Sequence, residues 1–124
     1  MCDWILPEGF EKQLQGMYGF IYVIKNLDTG VKYIGKKQFN SRTKGVWKES
    51  NWRKYQSSSK EVQSWKNVEK KMLLICSSAF ELSYREIELI IKSNALLRDD
   101  YCNYLIGREP IGRCPNYMKV NKGA

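Results

Sequence analysis

The chain contains no histidine. Serine–histidine and cysteine–histidine nucleophile pairs are therefore excluded, because both need an imidazole to take the proton. Any general base must be a carboxylate, a tyrosine or a lysine. The cysteines are Cys2, Cys76, Cys102 and Cys114, and no two are spaced C-x-x-C. Without histidine or closely paired thiols, a structural zinc is not expected. No apolar run approaches the roughly 20 residues that span a bilayer. The start, Met1-Cys2-Asp3-Trp4, lacks the basic opening and apolar stretch of an export signal. These absences predict a cytoplasmic chain with reduced thiols and no membrane partner. There is also no internal repeat and no low-complexity tract.

What is present is enough for one domain with a modest core: 124 residues, 43% of them hydrophobic. The net charge of +8 favours a polyanionic partner, since phosphate contacts release counterions. Charge alone also fits plain solubility.

Hydrophobic patterning predicts a small set of elements. The run Phe20 to Lys25 is β-branched and aromatic, as strands are. Asn26-Leu27-Asp28-Thr29-Gly30 is turn chemistry, and Val31 to Lys36 reads as the returning strand of a hairpin. Residues 38–57 are polar and basic with interspersed Trp47, Trp52 and Tyr55, and read as a loop or a loop with one short helix. Ser57-Ser58-Ser59-Lys60-Glu61 resembles a helix start, and Val62, Trp65 and Val68 follow at helical spacing. Met72 to Cys76 reads as a buried central strand. Glu81 to Arg98 is the strongest helix. This order predicts an α/β arrangement, an α+β sandwich with a small, mainly antiparallel sheet.

Two patterns carry chemistry. If the hairpin loop is Leu27 to Gly30, Asn26 pairs with Val31, Ile24 faces Tyr33 and Tyr22 faces Gly35. Tyr22 and Tyr33 then project from one face, diagonally related. Tyrosines also simply suit strands, but Gly35 inside a strand marks a close approach of another group. Lys36 and Lys37 follow directly, and nearby cations favour the ionised form of a phenol. On the long helix, successive residues turn about 100°. Glu86 then falls among Leu82, Leu89, Ile90 and Leu97, whereas Glu88 lies roughly 200° away with Glu81, Arg85 and Lys92. A carboxylate on an apolar stripe needs a cationic partner or a bound metal. Magnesium often uses only one or two protein carboxylates. A buried salt bridge and a metal anchor both remain open at this point.

Phe20-Ile21-Tyr22, then Tyr33-Ile34-Gly35, then Glu86 heading E-x-x-L-I, then Asn103 in Y-C-N-Y, resemble the ordered motifs of GIY-YIG nucleases. Y-I-G-K-K, W-R-K-Y-Q-S-S-S-K and S-Y-R-E are similar to small phage-encoded members. Phe20 stands where the family name has glycine, with Gly19 just before it. The resemblance covers roughly Gly19 to Ile106. It implies a nuclease domain over 19–106, beside which the mixed residues 1–18, with Pro7 and Gly9 as breakers, read as a capping segment and 107–124 as a basic tail. It implies a three-stranded antiparallel sheet flanked by helices, cleaving DNA with Mg2+ or Mn2+ held by Glu86. Tyr22 would orient or deprotonate the attacking water and Tyr33 would assist it. The family also has an arginine on its first helix, with histidine or tyrosine four residues on. Arg42 is followed at that spacing by Val46 and Arg53 by Ser57, so neither fits. Arg53 with Tyr55 is the preferred phosphate clamp, and Lys36 or Lys37 the alternative. Nucleic-acid contacts are expected from Lys36, Lys37, Arg42, Lys44, Trp52, Lys54, Lys60 and Asn103. Little room remains for a separate sequence-reading domain, so a homodimer or protein partner is a further expectation. The competing readings are a non-catalytic nucleic-acid-binding or host-interacting phage protein on the same fold, with basic and aromatic residues interleaved for stacking, and a protein-interaction domain.

Overall fold

The structure is a computed structural model describing residues 3–10, 16–106, 109–110 and 114–120. Strand β1 (Gly19–Asn26) lies at the centre of a three-stranded sheet, with β2 (Lys32–Gln38) on one side and β5 (Val68–Cys76) on the other, both antiparallel to it. The expected small antiparallel sheet with helices, an α+β architecture, is what the chain forms.

The β1–β2 turn follows from its residues. Asn26 accepts the Asp28 N–H on its side-chain oxygen at 2.9 Å, an Asx turn, and Gly30 takes the left-handed φ of 81° that closes the loop. The Asn26 N–H then meets the Val31 carbonyl at 2.8 Å. That closure sets the register, pairing Ile24 with Tyr33 and Tyr22 with Gly35 as expected.

The period-2 alternation of β1 divides the core into two layers. Phe20, Tyr22 and Ile24 point into one, with Trp4, Phe10, Phe39, Trp52, Val62 and Met72. Ile21 points into the other, with Ile34, Cys76, Leu82, Ile90 and Ala95. The second layer lies under the helix α2 (Ala79–Lys92). Phe20, at the position where glycine names the family motif, is wholly buried among Trp4, Phe39 and Trp52 rings. At Gly19 a Cβ would crowd the Lys37 carbonyl and the Leu82 side chain.

Several expectations are corrected. Residues 38–57 contain a second hairpin, β3 (Asn40–Thr43) and β4 (Val46–Glu49), whose side chains are almost all exposed. The helix after the serine run, α1, spans only Lys60–Gln63, capped by Ser59. Val68 begins β5 rather than continuing a helix, and β5 is an edge strand with Leu73 and Leu74 exposed. Its pairing slips opposite Ile21 and Tyr22, as a bulge does. Helix α2 starts earlier than expected, because Ser78 accepts the Glu81 N–H at 3.0 Å. It stops at Lys92 rather than Arg98. Asn94 takes a left-handed φ of 54°, with Ala95 N–H on the Ile90 carbonyl and Asn94 N–H on the Ile91 carbonyl. This pairing is a Schellman stop with asparagine in place of glycine. No helix among the described residues is long and apolar enough to cross a membrane.

Candidate active site

Tyr22 is 1% exposed and packs across Gly35. A Cβ at Gly35 would fall inside the radius of the Tyr22 hydroxyl and Cζ. The glycine of the Y-I-G triplet is therefore required because its neighbour's phenol occupies the space a side chain would take. The rings of Tyr22 and Tyr33 lie 6.4 Å apart and those of Tyr22 and Tyr55 6.2 Å apart, so three phenols share one face.

Ser57 sits beside this cluster. It is 1% exposed, it holds an unusual left-handed φ of 71°, and its hydroxyl lies close enough to the Tyr22 and Tyr33 phenols to favour their ionised forms. Its oxygen also accepts the Ser59 N–H at 3.0 Å. Sequence reasoning missed Ser57. The serine run marked a helix start, and nothing local distinguishes the first serine from the next two.

Burial pushes both the Tyr22 and the Tyr33 phenols above the ordinary tyrosine range, with the nearby Ser57 hydroxyl opposing it. The sequence expectation that Lys36 and Lys37 would favour ionisation is thus overturned: desolvation dominates. Lys37 has its ammonium 4.2 Å from the Tyr55 ring centroid, and burial lowers its pKa. Lys36 projects from the opposite face and donates to the Ser83 hydroxyl at 2.8 Å.

Glu86 approaches from α2 and is 9% exposed. Burial raises its pKa, partly countered by the Lys36 charge, and its own charge disfavours ionisation of Tyr22 and Tyr33. Among the described residues it forms no ion pair within 4.0 Å. The buried salt bridge left open by the sequence is therefore not formed among them. Glu88, as expected, lies on the polar face, paired with Arg85 and Lys92.

Other expected site residues lie elsewhere. Trp52 is not a nucleic-acid contact: it is 1% exposed and in the core, where its carbonyl accepts the Trp4 indole N–H. An aromatic in a basic run reads as exposed, but this one is drawn inward by Phe10, Phe20 and Phe39. The Arg53 guanidinium pairs with Glu49 at 3.0 Å and stacks on Trp52. Asn103, by contrast, lies beside the tyrosine pair, bonded to the residue between Tyr33 and Gly35. It accepts the Ile34 N–H at 3.0 Å and donates to the Ile34 carbonyl at 2.8 Å, which pins residues 100–103 along the outer edge of β2. Arg42, Lys44, Lys54 and Lys60 are exposed.

Hairpin, tyrosine cluster and helix-borne acid together define the GIY-YIG class. The family model described as "Putative endonuclease segE, GIY-YIG domain" matches residues 4–106. The chain belongs to this GIY-YIG endonuclease-domain family. No curated protein and no solved structure matches it.

Proposed function

We propose that the chain is a divalent-cation-dependent endonuclease that hydrolyses DNA phosphodiester bonds, with Tyr22, Tyr33 and Glu86 as its catalytic core. The observation that carries this reading is Glu86, a buried carboxylate without an ion-pair partner among the described residues, within electrostatic range of the tyrosine cluster. Such a carboxylate suits a hard cation, which removes the cost of burying its charge. The described residues contain no group of three or more candidate ligands. Glu86 would be the carboxylate that holds Mg2+ or Mn2+, with water and phosphate oxygens completing the shell. A cation there supplies Lewis-acid stabilisation of the charge that develops on the phosphate and the leaving oxygen.

Tyr22 enters as a neutral phenol, because burial keeps its proton on at neutral pH. Its first task is to hold the attacking water by a hydrogen bond. Tyr33 and Ser57 fix its orientation, and Tyr55 packs against it. Arg53 is paired with Glu49, and two further positive charges bear on the site: Lys36 acts on Glu86 and Lys37 lies over the Tyr55 ring. Supercoiled plasmid incubated with magnesium should be nicked. Tyr22→Phe should slow this by roughly 10²–10⁴-fold, the range for removing a positioned proton-transfer group. Glu86→Gln should abolish it, and chelation should stop the wild type. Plasmid left intact under every divalent ion would sink the proposal.

The engagement of Arg53 by Glu49 favours one second reading, a DNA-binding protein without cleavage. It predicts salt-sensitive binding that magnesium leaves unchanged.

A further inference from the structure

The second hairpin has no role in the core. Strands β3 and β4 pair only with each other, and of their residues only Ser41 is even half-buried. A two-stranded hairpin is marginal in water by itself, yet this one is firmly rooted. Ser50 donates its N–H to the Phe39 carbonyl at 2.8 Å and its hydroxyl to the Gln38 carbonyl at 2.6 Å. Glu49 receives the Trp52 indole at 3.2 Å. The arm beyond these anchors is strongly one-signed. It carries Arg42, Lys44 and Lys48 against Glu49 alone, and Glu49 is already paired with Arg53.

The tip adds an independent observation. Lys44 and Gly45 have φ of 53° and 80°, as a two-residue type I′ turn requires. Asparagine before glycine is the low-strain choice there. Lysine accepts a left-handed backbone and places a cation at the apex. Register sets Arg42 opposite Trp47, and Trp47 is 59% exposed. A guanidinium and a bare indole therefore stand on the same face of the ribbon.

We propose that the β3–β4 hairpin is a ribbon that enters the major groove of double-stranded DNA. In it Arg42 and Lys44 contact phosphates or base edges and Trp47 packs against the groove wall. A strand of four residues reaches about 13 Å at ~3.3 Å per residue, more than the ~8.5 Å depth of the groove, whose ~12 Å width admits a two-stranded ribbon. This inference rests on the nucleic-acid reading above and specifies the duplex as its substrate form.

The test is fluorescence anisotropy, in chelator, on a labelled duplex of about 20 base pairs and on one of its single strands. The proteins are the wild type, Arg42→Gln/Lys44→Asn and Trp47→Ala. Lys44→Asn restores preferred turn chemistry, so weakened binding cannot be ascribed to a broken hairpin. The wild type should prefer the duplex. The double variant should bind duplex at least about tenfold more weakly, with a salt slope shallower by roughly two, near 0.9 for each phosphate no longer neutralised. Trp47→Ala should weaken duplex binding more than single-strand binding. Duplex affinity within about twofold of wild type in the double variant would overturn the proposal, leaving the exposed indole for a protein partner. Equal losses on both DNA forms would overturn it too. Plasmid nicking separates the two claims. A wild type that binds duplex through the hairpin but never nicks keeps the ribbon and loses the nuclease. One that nicks while the variants bind normally does the reverse.

Discussion

At the scale of single residues, the site is held by contacts that sequence spacing does not reveal. Tyr22 faces Gly35 because the register demands it, and the missing side chain at Gly35 lets the phenol lie flat across β2. Ser57 then sets its hydroxyl beside Tyr22 and Tyr33 from an unfavourable backbone conformation. Strain of this kind costs about 1–3 kcal/mol and persists where the surroundings enforce it. Two substitutions separate the hydroxyl from the strain. Ser57→Ala removes the hydroxyl that accepts the Ser59 N–H and keeps the strain, so it should destabilise by about 1–3 kcal/mol. Ser57→Gly removes the same hydroxyl but relaxes the left-handed φ, so its loss should be smaller by roughly 1 kcal/mol. Urea unfolding measures both. If the hydroxyl orients Tyr22, the two variants should lose nicking rate equally despite their different stabilities. Activity that instead follows stability would make Ser57 a folding residue only.

At the scale of elements, legibility depended on whether local chemistry or tertiary contact set the outcome. The register of the β1–β2 hairpin was readable, though not its strand ends, because Asn26 and Gly30 determine its loop and a one-residue slip would turn Tyr22 to the wrong face. Glu86 was readable because Leu82, Glu86 and Ile90 share a buried stripe at helical spacing. The β3–β4 hairpin was not, since both its faces meet water and no alternation marks it. Nor could Trp52 be placed, because its burial depends on rings far along the chain. The end of α2 was missed for a sharper reason. Apolar residues continue at Ala95, Leu96 and Leu97, so the periodic pattern overruns the true stop at Asn94. The signal was a single asparagine able to adopt φ of 54°. Asn94→Gly should therefore keep or raise the thermal midpoint, whereas Asn94→Ala should cost about 1 kcal/mol, the penalty for a Cβ in that conformation. Thermal unfolding distinguishes them. Equal effects of the two would mean that the asparagine side chain, and not its backbone, ends the helix.

At the scale of the whole molecule, the sheet lies between two core layers and Glu86 belongs to the helix that covers one of them. Burial raises its pKa, so the folded state holds a proton that the unfolded chain releases in the ordinary carboxylate range. Stability then falls as pH rises from that range through the raised value, and above it the fold carries the full cost of a desolvated charge. Glu86→Gln titrates nowhere and removes that cost. At pH 7–8 the variant should unfold at a higher temperature than the wild type, by roughly 0.5–2 kcal/mol, the usual gain when a functional compromise is relieved. Toward pH 4 the gap should close, because the wild-type carboxyl is by then protonated in both states. Magnesium should narrow it from the other side by stabilising only the wild type, through ligand linkage. Calorimetry at two pH values, with and without the ion, measures all three effects. A glutamine variant less stable than the wild type at neutral pH would mean that the carboxylate has a stabilising partner in the folded protein. The same acid could not then serve as an open anchor for a cation.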